Sequence, residues 1–177
     1  MIMWEYQAHL PHDRTAEGSR HLLLVEAETY VWDVVRYALV KRYRTSAVTN
    51  LGDARRILEN DPADVIMVDI ELRGLGLPLV LFGLRHDVPV VMTSNNYGLA
   101  RHLMRLGCVI LHKPHSPIRL RECVDDAITN RNHSSLRHRT AFERILRDSR
   151  ERETLLQLFG DVRDDVLLAL KTFDEEL

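Results

Sequence analysis

The chain has 177 residues, 45% of them hydrophobic and 28% charged, with a formal net charge of −2. That length allows one ordinary domain with an appendage, and so balanced a charge gives no general reason to expect nucleic-acid or membrane binding. The longest apolar run, Leu75–Leu84, is broken by Gly76, Pro78 and Gly83 and falls short of the roughly 18–20 residues that cross a bilayer, while two cysteines, Cys108 and Cys123, make no disulfide framework and suit a reducing cytoplasm.

Residues 1–19 read as a flexible N-terminal arm; Glu5, His9, His12, Asp13 and Arg14 with no apolar core do not fit a signal peptide. From residue 20 to 131 short apolar runs alternate with helical patterns. His21–Val25 is a first strand, and Val31, Val34, Val35, Ala38 and Leu39 then recur at helical spacing. Tyr43–Thr49 is a weaker strand. Asn50 caps a helix carrying Leu51, Ala54, Ile57 and Leu58, which Asp61-Pro62 ends. Val65–Val68 is the third strand, followed by a Gly-rich turn at residues 73–76 and an apolar helix over Leu77–Arg85. Val88–Met92 is the fourth strand, with Pro89 tolerable at its start. A helix over Asn95–Leu106, a fifth strand over Cys108–Leu111 and a helix capped by Ser116 complete the series.

Strands that are apolar throughout, alternating with helices, indicate a parallel sheet covered on both faces. Such sheets place their chemistry at the carboxyl ends of the strands. Here those ends are Glu26, Asp69, Thr93-Ser94 and Lys113-Pro114. Two carboxylates, a hydroxyl and an ammonium on one edge suit phosphoryl acceptance: a carboxylate is the nucleophile, and a cation, a hydroxyl and a lysine meet the phosphoryl charge. Cys108, His112 and His115 need not converge, so they are not read as a metal site.

The segments LLLVEAE, VIMVDIELRG, VPVVMTS and ILHKP, in that order, resemble the receiver domain of two-component response regulators. The resemblance implies a flavodoxin-like α/β fold, a five-stranded parallel sheet of order 2-1-3-4-5 with helices on both faces, plus C-terminal helices. It implies Asp69 as phosphoacceptor, Thr93 as switch hydroxyl and Lys113 as the phosphoryl contact, with a cis peptide before Pro114. It also implies Mg²⁺ held by Glu26, Asp69 and the Glu71 backbone carbonyl. The sequence departs from the family in four places. Ala27 replaces a second pocket acid, which weakens Mg²⁺. Arg73 stands for a common proline and Ile110 for an aromatic residue, and the 24-residue interval from Asp69 to Thr93 is short.

Residues 132–177 read as a helical extension. Residues 131–152 hold seven arginines against three acids, and residues 161–177 hold six acids against Arg163 and Lys171. Phe142, Ile145, Leu146, Leu155, Leu156, Leu158 and Phe159 mark one helix; Gly160-Asp161 stops it, and Val162, Val166, Leu170 and Phe173 mark a second. The two are expected to pack on the receiver or across a homodimer. The leading expectation is a non-enzymatic cytoplasmic receiver, phosphorylated by a histidine kinase or phosphotransfer protein. A degenerate receiver that binds partners without phosphorylation is the alternative, favoured by Ala27 and Ile110. A DNA-binding regulator using the arginine cluster comes third, since no helix-turn-helix pattern appears.

Overall fold

A computed structural model describes residues 19–72 and 76–175. The apolar runs form five strands: β1 (Arg20–Val25), β2 (Tyr43–Val48), β3 (Val65–Asp69), β4 (Val90–Ser94) and β5 (Ile110–His112). All pair in parallel, in the order β2-β1-β3-β4-β5. Every residue of β3 and β4 is buried, whereas β2 lies at an edge and is half-buried along its middle. That position explains why β2 is the weakest strand in the sequence: only one neighbour and one well-covered face select its residues.

Side chains alternate across the sheet. Leu22, Leu24, Val65, Met67, Val91 and Leu111 face α1 (Thr29–Leu39) and α5 (Pro117–Thr129). Leu23, Val25, Ile66, Val68, Met92 and Ile110 belong to the core beneath α2 (Leu51–Asn60), α3 (Gly76–Arg85) and α4 (Tyr97–Arg105). Asn50 accepts the Asp53 N–H at 2.9 Å and Ser116 the Arg119 N–H at 3.2 Å, so both expected caps form. Asn96, not the expected Asn95, opens α4 by accepting the Leu99 N–H at 3.0 Å. Gly76 begins α3 hard against the end of β3: a Cβ there would lie 2.3 Å from the Asp69 carbonyl oxygen. The expected N-terminal arm and Arg73 lie outside the described residues.

The fifth strand is shorter than expected. Cys108 N–H caps α4 at Leu103 O, and Val109 N–H donates at 3.0 Å to the Nε2 of His138, so neither joins the ladder. The C-terminal region also differs, with three helices in place of two: α6 (Arg131–Arg147), α7 (Ser149–Leu158) and α8 (Arg163–Glu175). Asp148 makes the additional break by accepting the Arg150 and Glu151 N–H groups as N-cap of α7. Gly160, at φ +55°, ends α7 in a left-handed turn, where a side chain would be strained. The expected packing on the receiver is observed. Ala141, Phe142, Ile145, Leu155, Leu156, Phe159, Val166 and Leu170 are buried in the same cluster as α3 and α4. These helices form a third layer over that side of the sheet, and the Phe173 side chain lies outside the described residues.

Two outcomes follow from this layer. Phe142 has no exposed surface, so Phe142→Ala should cost about 3–5 kcal/mol in urea unfolding. Burial pushes His138 down to about 4, where it stays neutral and accepts from Val109. The unfolded chain, with an ordinary histidine near 6.5, takes up the proton first. Stability should therefore fall as pH drops from about 6.5 toward 4, by up to about 3 kcal/mol from this residue. His21, His102 and His115, also lowered by burial, add slope of the same sign. The test is thus the difference: His138→Gln, which keeps an acceptor, should flatten part of the curve.

Candidate functional site

The sheet register sets the site. Val25 is level with Val68, and Asp69 with Thr93. Glu26 and Asp69 thus leave β1 and β3 at the same height, and Lys113 follows β5 on the same edge. Lys113 Nζ donates to Glu26 Oε2 at 2.5 Å and to Asp69 Oδ2 at 2.8 Å. The three groups are only 8%, 1% and 9% exposed, in the order Lys113, Glu26, Asp69. Burial alone would lower the Lys113 pKa, but hydrogen bonds and attraction from Asp69 and Glu26 outweigh it and hold the ammonium above its ordinary value. Backbone amides take the remaining carboxylate oxygens: Glu28 N–H donates to Glu26 Oε1 at 3.1 Å, and Glu71 N–H to Asp69 Oδ1 at 3.0 Å. The Lys113–Pro114 peptide is cis.

Thr93 is buried beside Asp69, yet its hydroxyl donates to Val68 O at 3.3 Å and not to the Asp69 carboxylate. Ala27 is exposed and presents only a methyl group, while Glu28 is exposed at the N-terminus of α1. Ile110 is buried.

Sequence reading gave Glu71 a role only through its backbone. Its side chain does more, because Oε2 accepts from Ser94 Oγ at 2.6 Å, Asn95 N–H at 2.8 Å and Asn96 N–H at 3.0 Å. Ser94, named from sequence only as a strand end, and Asn96, which was missed, join this network. The available signal was an acid two residues after a strand-end Asp, opposite a Ser-Asn-Asn loop rich in donors.

A hard divalent cation takes oxygen ligands and often keeps several waters. Glu26, Asp69 and the Glu71 carbonyl fit that chemistry in part, since Ala27 contributes no oxygen and the Lys113 ammonium already bridges the two carboxylates. The donor set therefore suits a loosely held Mg²⁺ with water completing its shell. Among the described residues no three His, Cys, Asp or Glu side chains gather as a metal cluster. Cys108 and Cys123 are free and buried, and burial pushes their thiols to about 12 and about 11.

No protein-family profile matches the chain, and no curated protein matches it in sequence. Solved structures do match. A response regulator from Thermotoga maritima superposes with TM-score 0.56 at 19% identity, covering 63% of this chain and 98% of the other. A response regulator receiver domain protein from Clostridium thermocellum gives 0.54 at 17%, covering 64% and 97%. NtrX from Brucella abortus gives 0.57 at 23% and covers 72% of this chain, which spans only 31% of NtrX. The chain has the fold of response-regulator receiver domains, with additional C-terminal helices. Among the described residues no helix is long and apolar enough to cross a membrane.

The buried pairing yields a direct test. Removing one partner of a buried ion pair costs about 3–5 kcal/mol because the other charge is left uncompensated. Lys113→Met should lose about that much stability at neutral pH. Urea unfolding of the wild type and the variant at neutral pH measures the loss.

Proposed function

We propose that this chain is a receiver-type signalling switch that accepts a phosphoryl group on Asp69 from the phosphohistidine of a histidine kinase or phosphotransfer protein. The observation that carries this reading is the Glu26–Lys113–Asp69 arrangement at the carboxyl edge of a parallel sheet. An Asp69 oxygen attacks phosphorus, the P–N bond breaks, and its electron pair leaves on the imidazole, which takes up a proton. Lys113 lies within reach of the acceptor to offset the incoming charge. Mg²⁺, held by Glu26, Asp69 and the Glu71 carbonyl, would supply further neutralisation of phosphoryl oxygens.

Thr93 contributes its hydroxyl only after leaving Val68 O, an exchange of one hydrogen bond for another. Ile110 has no polar tip and gains little by moving, so it offers small differential free energy to a switch. Output is assigned instead to the loops holding Glu71 and Asn95 and to the C-terminal helices, acting through protein contacts in the cytoplasm. The chain acts in this reading as a switch and not as an enzyme.

A degenerate receiver working without phosphorylation is the second reading, supported by the missing oxygen at Ala27 and by a pocket already neutralised in part by Lys113. DNA binding through the arginine cluster has less support. Arg131 donates to Asp87 O, Arg139 to Leu84 O at 2.6 Å and Arg144 to Glu151 at 3.2 Å, so these side chains serve internal contacts.

Intact-mass measurement after acetyl phosphate and Mg²⁺ tests the proposal. One added phosphoryl group is expected on the wild type and none on Asp69→Asn. Ala27→Asp should tighten Mg²⁺ in calorimetric titration and speed labelling. A wild type that stays unmodified while Ala27→Asp is labelled would favour the degenerate reading.

A further inference from the structure

Three donors converge on one oxygen of Glu71. Ser94 Oγ, Asn95 N–H and Asn96 N–H all reach Oε2, within 2.6–3.0 Å. They lie at the N-terminus of α4, where free amides and the helix dipole favour an anion. Bonds to a charged acceptor are stronger than neutral ones, so this carboxylate fixes the loop that joins β4 to α4.

Asn96 carries the constraint further. Its backbone N–H binds Glu71, its Oδ1 caps α4, and its Nδ2 donates at 3.2 Å to the carbonyl of Leu158, the last residue of α7. Gly98 lets α7 approach closely, since a Cβ there would lie 3.3 Å from a Leu158 methyl. At its other end α7 is held by Glu151, which accepts from Arg105 at 3.0 Å. Helix α7 thus lies antiparallel on α4, bounded by the Asp148 cap and the Gly160 turn.

We propose that Glu71 is a latch between the acceptor pocket and α7. In the resting state its carboxylate fills the donor loop and keeps Asn96 on Leu158; an anionic phosphoryl group on Asp69 expels it and undocks the C-terminal end of α7. The trigger rests on the phosphoryl-acceptor reading above, whereas the resting contact does not. The physical cause is competition and repulsion. Glu71 N–H already binds Asp69 Oδ1, so the two acids are close neighbours. A phosphoryl group carries about −1.5 to −2 charge where the Asp69 carboxylate carried −1, and its added oxygens seek the same donors. The two states then differ in the free energy of one identifiable contact set, as coupling requires.

Hydrogen exchange on the full chain tests this, with wild type, Glu71→Ala and Asn96→Asp, each with and without Mg²⁺–beryllofluoride as phosphoryl mimic. Without the mimic, Glu71→Ala should raise exchange about tenfold in residues 94–99 and 149–160, the scale of a lost charge-assisted bond. Asn96→Asp keeps the cap oxygen but loses the amide donor, and should raise 149–160 alone. In wild type the mimic should raise both segments; in Glu71→Ala it should add nothing further there. That non-additivity would not arise from a merely stabilising residue. Loosening of 94–99 in Glu71→Ala with 149–160 unchanged overturns the relay. An adduct that forms on wild type and leaves 149–160 unchanged overturns the trigger. If native mass spectrometry finds no adduct, the phosphoryl-acceptor reading and its trigger fail, and the unliganded variants alone decide the resting contact.

Discussion

A buried ammonium is tolerated only where anions surround it, because burial by itself disfavours the charge. Lys113 meets that condition through Glu26 from β1 and Asp69 from β3, and its backbone N–H binds Ser94 O at the end of β4. One residue therefore ties together the carboxyl ends of four strands. The arrangement depends on register, since a slip of one residue would turn a strand-end acid to the opposite face. The pairs Val25 with Val68 and Asp69 with Thr93 hold that register, and the apolar bodies of the strands hold the pairs.

The C-terminal helices are part of the same structure and not an independent module. Phe142, Ile145, Leu155 and Val166 share a core with Leu99, Leu103 and Val80. His138 supplies an acceptor for Val109 N–H, which the short β5 leaves without a ladder partner. This third layer covers α3 and α4 within a single chain, so Phe142, Ile145, Leu155, Leu156 and Phe159 have partners in the same chain. Any movement of α4 is consequently felt by α7.

The arrangement sets which contacts the proposed switch would use. Thr93 is held by Val68 O, and Ile110 is a buried side chain with no polar tip. The donors of the β4–α4 loop, meanwhile, are engaged by Glu71. The proposed route from Asp69 through Glu71, Asn96 and α7 uses polar contacts, which respond to the charge and the oxygen atoms of a neighbour. A buried isoleucine cannot respond in that way.

By itself the sequence determined the layered α/β pattern, because each strand is an apolar run bounded by residues that stop it. Local chemistry also made the caps at Asn50 and Ser116 readable, since a cap bonds to an amide three residues away. The acids and the lysine at the strand ends were visible as a set because a parallel sheet brings such ends to one edge. Other features required the tertiary structure. The run Leu22–Val25 does not say which leucine faces which helix layer, as both faces are apolar. The start of β5 at Ile110 was decided by His138, 29 residues after Val109, and the role of Asn96 by Leu158, 62 residues further on. Asp148 carried a local cap signal, but the apolar spacing around it ran on as though one helix continued. The Glu71 side chain had no assigned partner until folding set it against Ser94, Asn95 and Asn96. Hydrogen-bond donors a few residues apart can be paired from sequence, whereas donors brought together by packing acquire their partners only when the whole core has formed.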